Sequence, residues 1–290
     1  MYRMGRSGRT GRCSRWRGQI GSGSSSWQTS DLHMPQDVSI VNDLKTAAVL
    51  AGSAGLLGAV TVPFLLPSIF ELVPPDQRTL PLPLPLFCLV LAIQFLFIYG
   101  LFALAGLRLA RARNREPAPL FSAIWAKKRP DRFGLSAAWA FGTGLLCGLG
   151  LVGAIMLIKR TLPQTLPDVL HPSSFWGSLL ASATASFGEE ILCRLFLLSA
   201  CLRILPASST STVIAVAVSS LLFGVLHAPA AVFLFGGLDK VPALTWVWMV
   251  SLNAFVGVAC AVRYLRVGIG GAVLVHFGTD LVWHVLSQLS

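Results

Sequence analysis

Glu189 and Glu190 stand side by side inside an apolar stretch, Ser186-Phe187-Gly188-Glu189-Glu190-Ile191-Leu192-Cys193-Arg194. The flanks, 175–185 and 195–205, are nearly uncharged, and together they are long enough to cross a bilayer. A charge at the centre of a membrane helix costs about 2.5–3.5 kcal/mol on insertion scales, so ionisable side chains there mark a functional site by default. Two later apolar segments add His227 and then His276 with Asp280. On an α-helix, residues four apart lie about 40° apart and neighbours about 100° apart. Arg194 therefore faces Glu190 and can neutralise it within one helix. Glu189 points elsewhere and is left for chemistry. Asp280 shares a face with His276, can accept a hydrogen bond from it and can fix its tautomer. His284, near the chain end beside Trp283, continues that face and is read as interfacial, and Asp239-Lys240 as a loop pair.

A Glu, two His and an Asp at membrane depth admit two chemistries. Glu with His can hold and deprotonate a water, the carboxylate acting as general base. A further His-centred pair can stabilise the oxyanion of a tetrahedral intermediate. Together these suit amide hydrolysis. Alternatively Glu189, His227, His276 and Asp280 ligate a divalent metal such as zinc, which activates the water. The HExxH helix of ordinary zinc proteases is absent, and so is the GxSxG elbow of serine hydrolases.

These residues need a membrane bundle to position them, and the composition supplies one. Of 290 residues, 54% are hydrophobic and only 12% charged, with a mean hydropathy of +0.70. A soluble domain carries about 25% charged residues. Apolar runs predict an all-α bundle of about seven transmembrane helices: 47–70, 86–107, 135–158, 175–205, 212–227, 243–265 and 269–286. Residues 230–237 read as a re-entrant or broken segment. Gly144 and Gly148, four apart, allow close helix packing. The net charge of +11 suggests nucleic acid only at first sight. It concentrates in an N-terminal arm, in the 108–132 loop (Arg108, Arg111, Arg113, Arg115, Lys127, Lys128, Arg129, Arg132) and at Arg263 and Arg266. With seven spans all three fall on one side, which the positive-inside rule makes cytoplasmic. The arm, rich in Arg, Gly and Ser, reads as disordered: a solvated tail, a stretch before a start at Met34, or a transit peptide. The cysteines at 13, 88, 147, 193, 201 and 260 form no CxxC pair and read as small packing residues. The chain thus divides into a basic arm (1–45), accessory helices with the basic loop (46–134) and a core (135–290) whose motifs lie in 175–290.

Glu189-Glu190-x-x-x-Arg194, Phe223-x-x-x-His227 and His276-x-x-x-Asp280, in this order and each in an apolar helix, resemble the three motifs of the CPBP family. These are the CAAX-protease and bacteriocin-processing (Abi) intramembrane proteases, or type II CAAX prenyl endopeptidase-like proteins. The resemblance implies an intramembrane endopeptidase acting on a membrane-associated protein or peptide, of the CAAX type or prenylated. Glu189 would activate water with the help of His227. His276 and Asp280 would line the oxyanion site, while Glu190, Arg194 and Phe223 support it. The prenyl-protein enzymes carry Asn where this chain has Asp280. Asn donates a hydrogen bond and an ionised Asp cannot, so Asp280 must be protonated, must act by orienting His276, or must bind a metal. The alternative from another class is a non-catalytic membrane scaffold or bacteriocin-immunity protein with the same fold. The expected partners are a membrane-bound substrate and the bilayer, with no nucleic acid. The expected place is the bacterial plasma membrane with the N-terminus cytoplasmic, an organellar membrane being the alternative.

Overall fold

A computed structural model describes residues 40–126, 133–162 and 174–286. The expected basic arm, 1–45, lies outside them up to residue 39, and its last residues, 40–45, are helical rather than disordered. Lys127, Lys128, Arg129 and Arg132 also lie outside the described residues. Among the described residues the chain is helical and has no strand. The helices are α1 (Ile40–Leu72), α2 (Leu84–Arg111), α3 (Pro119–Ala126), α4 (Phe133–Thr161), α5 (Phe175–Glu190), α6 (Ser199–Ile204), α7 (Ser209–Val225), α8 (Ala228–Phe235), α9 (Ala243–Val267) and α10 (Ile269–Leu286). A π-helical segment, Ile191–Leu198, joins α5 to α6, so 175–204 is one continuous rod. Five stretches are long and apolar enough to cross a membrane: Ile40–Glu71, Leu84–Arg111, Gly134–Thr161, Ser209–Phe235 and Ala243–Val267. The 175–204 rod and α10 complete the expected set of long helices. They are the two that carry Glu189, Glu190, Arg194, His276 and Asp280. The fold is an all-α membrane bundle.

Local chemistry sets the ends of these rods. Ser174 caps α5 by accepting from the Gly177 N–H at 3.0 Å, and Ser208 caps α7 by accepting from Ser211 at 3.0 Å. Each satisfies an amide that the helix start leaves unpaired. The turn between α9 and α10 passes through Gly268 at φ 81°, a left-handed conformation that favours glycine. There the chain also presses on Pro117 and Pro119, and the Ile269 N–H donates to the Pro117 carbonyl at 2.7 Å. The segment expected to be re-entrant or broken is a short second helix: α7 stops at Val225, the chain breaks at Leu226-His227, and Pro229 lies in the first turn of α8 (Ala228–Phe235).

The 175–204 rod is the axis of the bundle, in contact with α1, α2, α7, α9 and α10. α1 reaches it through Thr61, whose hydroxyl lies 2.7 Å from that of Thr184 and 3.2 Å from the Leu180 carbonyl. α2 reaches it at Gly106, where any side chain would run into the Leu195 carbonyl. α10 packs on α4 through the two expected glycines. Gly144 meets the Val275 backbone and Gly148 meets Thr279 and Val282. The Thr279 hydroxyl donates to the Gly144 carbonyl at 3.1 Å. Small residues at membrane interfaces let backbones approach in this way, and here the approach fixes the helix that bears His276.

One end of the bundle collects the basic side chains. Asp43, fully buried in α1, pairs with Arg111 at 2.7 Å and with Arg108 at 3.4 Å, and Arg111 also pairs with Glu116 at 2.7 Å. Arg113 donates to the Leu205 carbonyl, and Arg115 to that of Leu265 at 2.6 Å. The loop after α2 is thereby tied to the ends of α6 and α9, near Arg263 and Arg266.

Candidate active site

The axis helix runs as α-helix to Glu190 and then loosens into the π segment that holds Arg194. π segments inside α-helices recur at functional sites. The expected ion pair forms: Arg194 Nε lies 3.2 Å from Glu190 Oε2, and both side chains are fully buried. Arg194 also donates from Nη2 to the Gly257 carbonyl at 3.1 Å and stacks over the Phe223 ring, 4.6 Å from its centroid. A charge this deep needs such company, because an unpaired buried ion is expensive.

Glu190 does more than balance Arg194. Its Oε1 accepts a hydrogen bond from His276 Nδ1 at 2.9 Å. A carboxylate oxygen only accepts, so Nδ1 carries the proton. The tautomer of His276 is thus set from the Glu190 side, not by Asp280 as the sequence suggested. Asp280 instead lies at the other nitrogen, with Oδ2 3.4 Å from Nε2. A hydrogen bond there requires a proton on one of the two groups, since two acceptors do not bond.

His227 sits in the break between α7 and α8 and donates from Nδ1 to the Phe223 carbonyl at 2.9 Å. By the same accounting, neutral His227 presents a bare lone pair at Nε2. The Phe223 ring separates the two imidazoles and meets each edge-on, at 5.0 Å from His227 and 5.5 Å from His276. Phe223 therefore touches Arg194, His227 and His276 at once.

Glu189 lies between the imidazoles. Its Oε2 is 3.9 Å from His227 Nε2 and 3.9 Å from His276 Nε2, and it makes no direct hydrogen bond. These distances are too long for hydrogen bonds and short enough for one water to touch all three groups. Accessibility is graded across the site. The Glu189 side chain is 37% exposed and His227 29%, against 4% for His276 and none for Glu190. Glu189 and His227 are the accessible members of the site, while His276 is buried against Glu190 and Phe223.

A tetrahedral zinc site needs tighter donor spacing than this one offers. Bonds of about 2.0–2.2 Å would draw four such ligand atoms to roughly 3.3–3.5 Å from one another. No three of Glu189, His227, His276 and Asp280 bring ligand atoms within 4.8 Å of one another. The group that does so among the described residues is Glu190, Cys260 and His276. There Glu190 is already engaged by Arg194 and His276, so a cation would have to displace a guanidinium. Neither set fits zinc as it stands.

All four candidate reactive residues converge, as do Glu190, Arg194 and Phe223. Asp239-Lys240 forms a separate 3-10 turn, Leu238–Lys240. Sequence reasoning missed Cys260, treated as packing and found buried against Glu190 and His276. It also missed Tyr99 of α2, whose hydroxyl lies against Gly188.

A helical membrane bundle with carboxylates and imidazoles gathered in its interior defines the class. Residues 171–282 match the family model described as type II CAAX prenyl endopeptidase Rce1-like. The matched segment is similar to this protease family; it is less than half of the chain's length and contains every residue of the three motifs. No curated protein and no solved structure matches the chain significantly.

Proposed function

We propose that the chain is an intramembrane endopeptidase that hydrolyses a peptide bond of a membrane-associated protein or peptide, of the CAAX type or prenylated, through a water activated by Glu189. The observation that carries this reading is the place of Glu189 Oε2, unbonded and equidistant from two imidazole nitrogens. A water there gives a proton to Glu189 while its oxygen attacks the scissile carbonyl carbon. The bare Nε2 of His227 accepts a hydrogen bond from the hydrogen that the water keeps and so aims the attacking lone pair. The carbonyl oxygen becomes an oxyanion and takes a hydrogen bond from the proton shared by His276 Nε2 and Asp280. The intermediate then collapses, the C–N bond breaks, and Glu189 returns its proton to the leaving nitrogen. Glu190, Arg194 and Phe223 hold the two imidazoles in place.

The protease core is proposed to be residues 135–290. Residues 46–134 would be accessory helices that brace the axis helix through Thr61, Tyr99 and Gly106. The basic end would face the cytoplasm of a bacterial plasma membrane. The test is a comparison of protein termini in cells carrying the wild type or Glu189→Ala. New C-termini on membrane proteins should appear with the wild type and vanish with the variant. Identical termini in both would overturn the reading.

A further inference from the structure

The axis helix is approached by one unassigned hydroxyl. Tyr99 lies on α2, outside the segment that matches the family model. Its hydroxyl and ring edge rest against the Cα of Gly188, the residue immediately before Glu189, at a point where any Cβ would collide with the phenol. The seat is built from behind as well. The Phe95 ring packs on Tyr99 at 5.6 Å, and Phe95 is itself received by Gly58 of α1, where a Cβ would meet it at 2.5 Å. Two glycines on two helices thus make room for two tilted rings in contact, and the result is an O–H delivered to the backbone just before the proposed base. A phenol carried into an apolar bundle normally finds a hydrogen-bond partner.

Glu189 has one oxygen, Oε2, turned inward between the imidazoles, with its second oxygen left over. We infer that Tyr99 is a positioning residue for the reaction: its hydroxyl donates to the second carboxylate oxygen of Glu189 and holds Oε2 toward the attacking water. No direct hydrogen bond joins the two groups here, and catalytic hydrogen bonds often close only in the substrate complex. The inference rests on Glu189 being the base.

The test uses the full-length protein in liposomes and a farnesylated peptide ending in Cys-aliphatic-aliphatic-X, with tripeptide release read by mass spectrometry. Tyr99→Phe keeps both rings packed and removes only the donor. Its kcat should fall about 10–100-fold, the range for a lost hydrogen bond to a charged group, with KM and melting temperature unchanged. Gly188→Ala should displace the phenol and lower kcat alike, and the double variant should lose little more, because both changes remove the same interaction. Wild-type kcat in Tyr99→Phe, or a loss confined to KM or accompanied by lower melting, would overturn the inference. Glu189→Gln in the same liposomes separates the two claims. If it is inactive while Tyr99→Phe is normal, only the role of Tyr99 falls. If it is active, or if the wild type releases nothing, the reading of Glu189 as the base falls with it.

Discussion

Glu190→Ala strips the site of a carboxylate that serves two partners. Arg194 would keep the Gly257 carbonyl at 3.1 Å and the Phe223 ring at 4.6 Å but lose the carboxylate that balances its charge. Removing one side of a buried ion pair costs about 3–5 kcal/mol. For a domain of about this size, each kcal/mol moves the melting temperature by about 2–4 °C, so a drop of about 6–20 °C is expected. His276 simultaneously loses the acceptor at 2.9 Å that fixes its Nδ1 proton, so activity should disappear with stability. Glu189→Gln provides the contrast, since Glu189 Oε2 has no direct bond to lose. Thermal unfolding of both variants in detergent, followed by intrinsic tryptophan fluorescence, measures the difference. Replacing Arg194 by Met as well should recover most of the lost stability, because an apolar pair removes the stranded charge. Equal melting temperatures for Glu190→Ala and Glu189→Gln would refute this reasoning, and so would a double variant no more stable than the single.

Two further outcomes follow from the same geometry. Asp280→Asn keeps the shape and supplies an N–H donor beside His276 Nε2, so tripeptide release should stay within about ten-fold of the wild type; near-complete loss, together with stoichiometric zinc in active wild-type protein, would favour a metal ligand instead. Gly144→Ala pushes a methyl into the Val275 backbone and should move α10 with His276; overpacking of this kind typically costs about 1–3 kcal/mol, and a variant with wild-type melting and activity would show that α4 does not set the position of α10.

Much of the fold was legible because membrane helices announce themselves by length. The expected 269–286 helix matches α10, and 243–265 differs from α9 by two residues at one end. The Glu190–Arg194 pair was legible because both partners lie on one helix, where spacing alone fixes the facing. The Glu190–His276 bond was not, since its partners are 86 positions apart and only tertiary packing joins them. For the same reason Asp280 was credited with a tautomer that Glu190 sets. The π segment left no sequence mark that could be separated from an ordinary apolar helix. Tyr99 and Cys260 were invisible for a simpler reason: a tyrosine or cysteine in an apolar run looks like packing until a neighbouring helix puts chemistry beside it.

The central claim is that Glu189 activates the water that cuts the peptide bond. Purified wild-type and Glu189→Gln proteins, matched for melting temperature in detergent and then placed in liposomes, should be compared for release of the C-terminal tripeptide from a farnesylated Cys-aliphatic-aliphatic-X peptide. Release by the wild type, with none above background from a Glu189→Gln protein that melts at the same temperature, is the result predicted. Release by Glu189→Gln at the wild-type rate would contradict it.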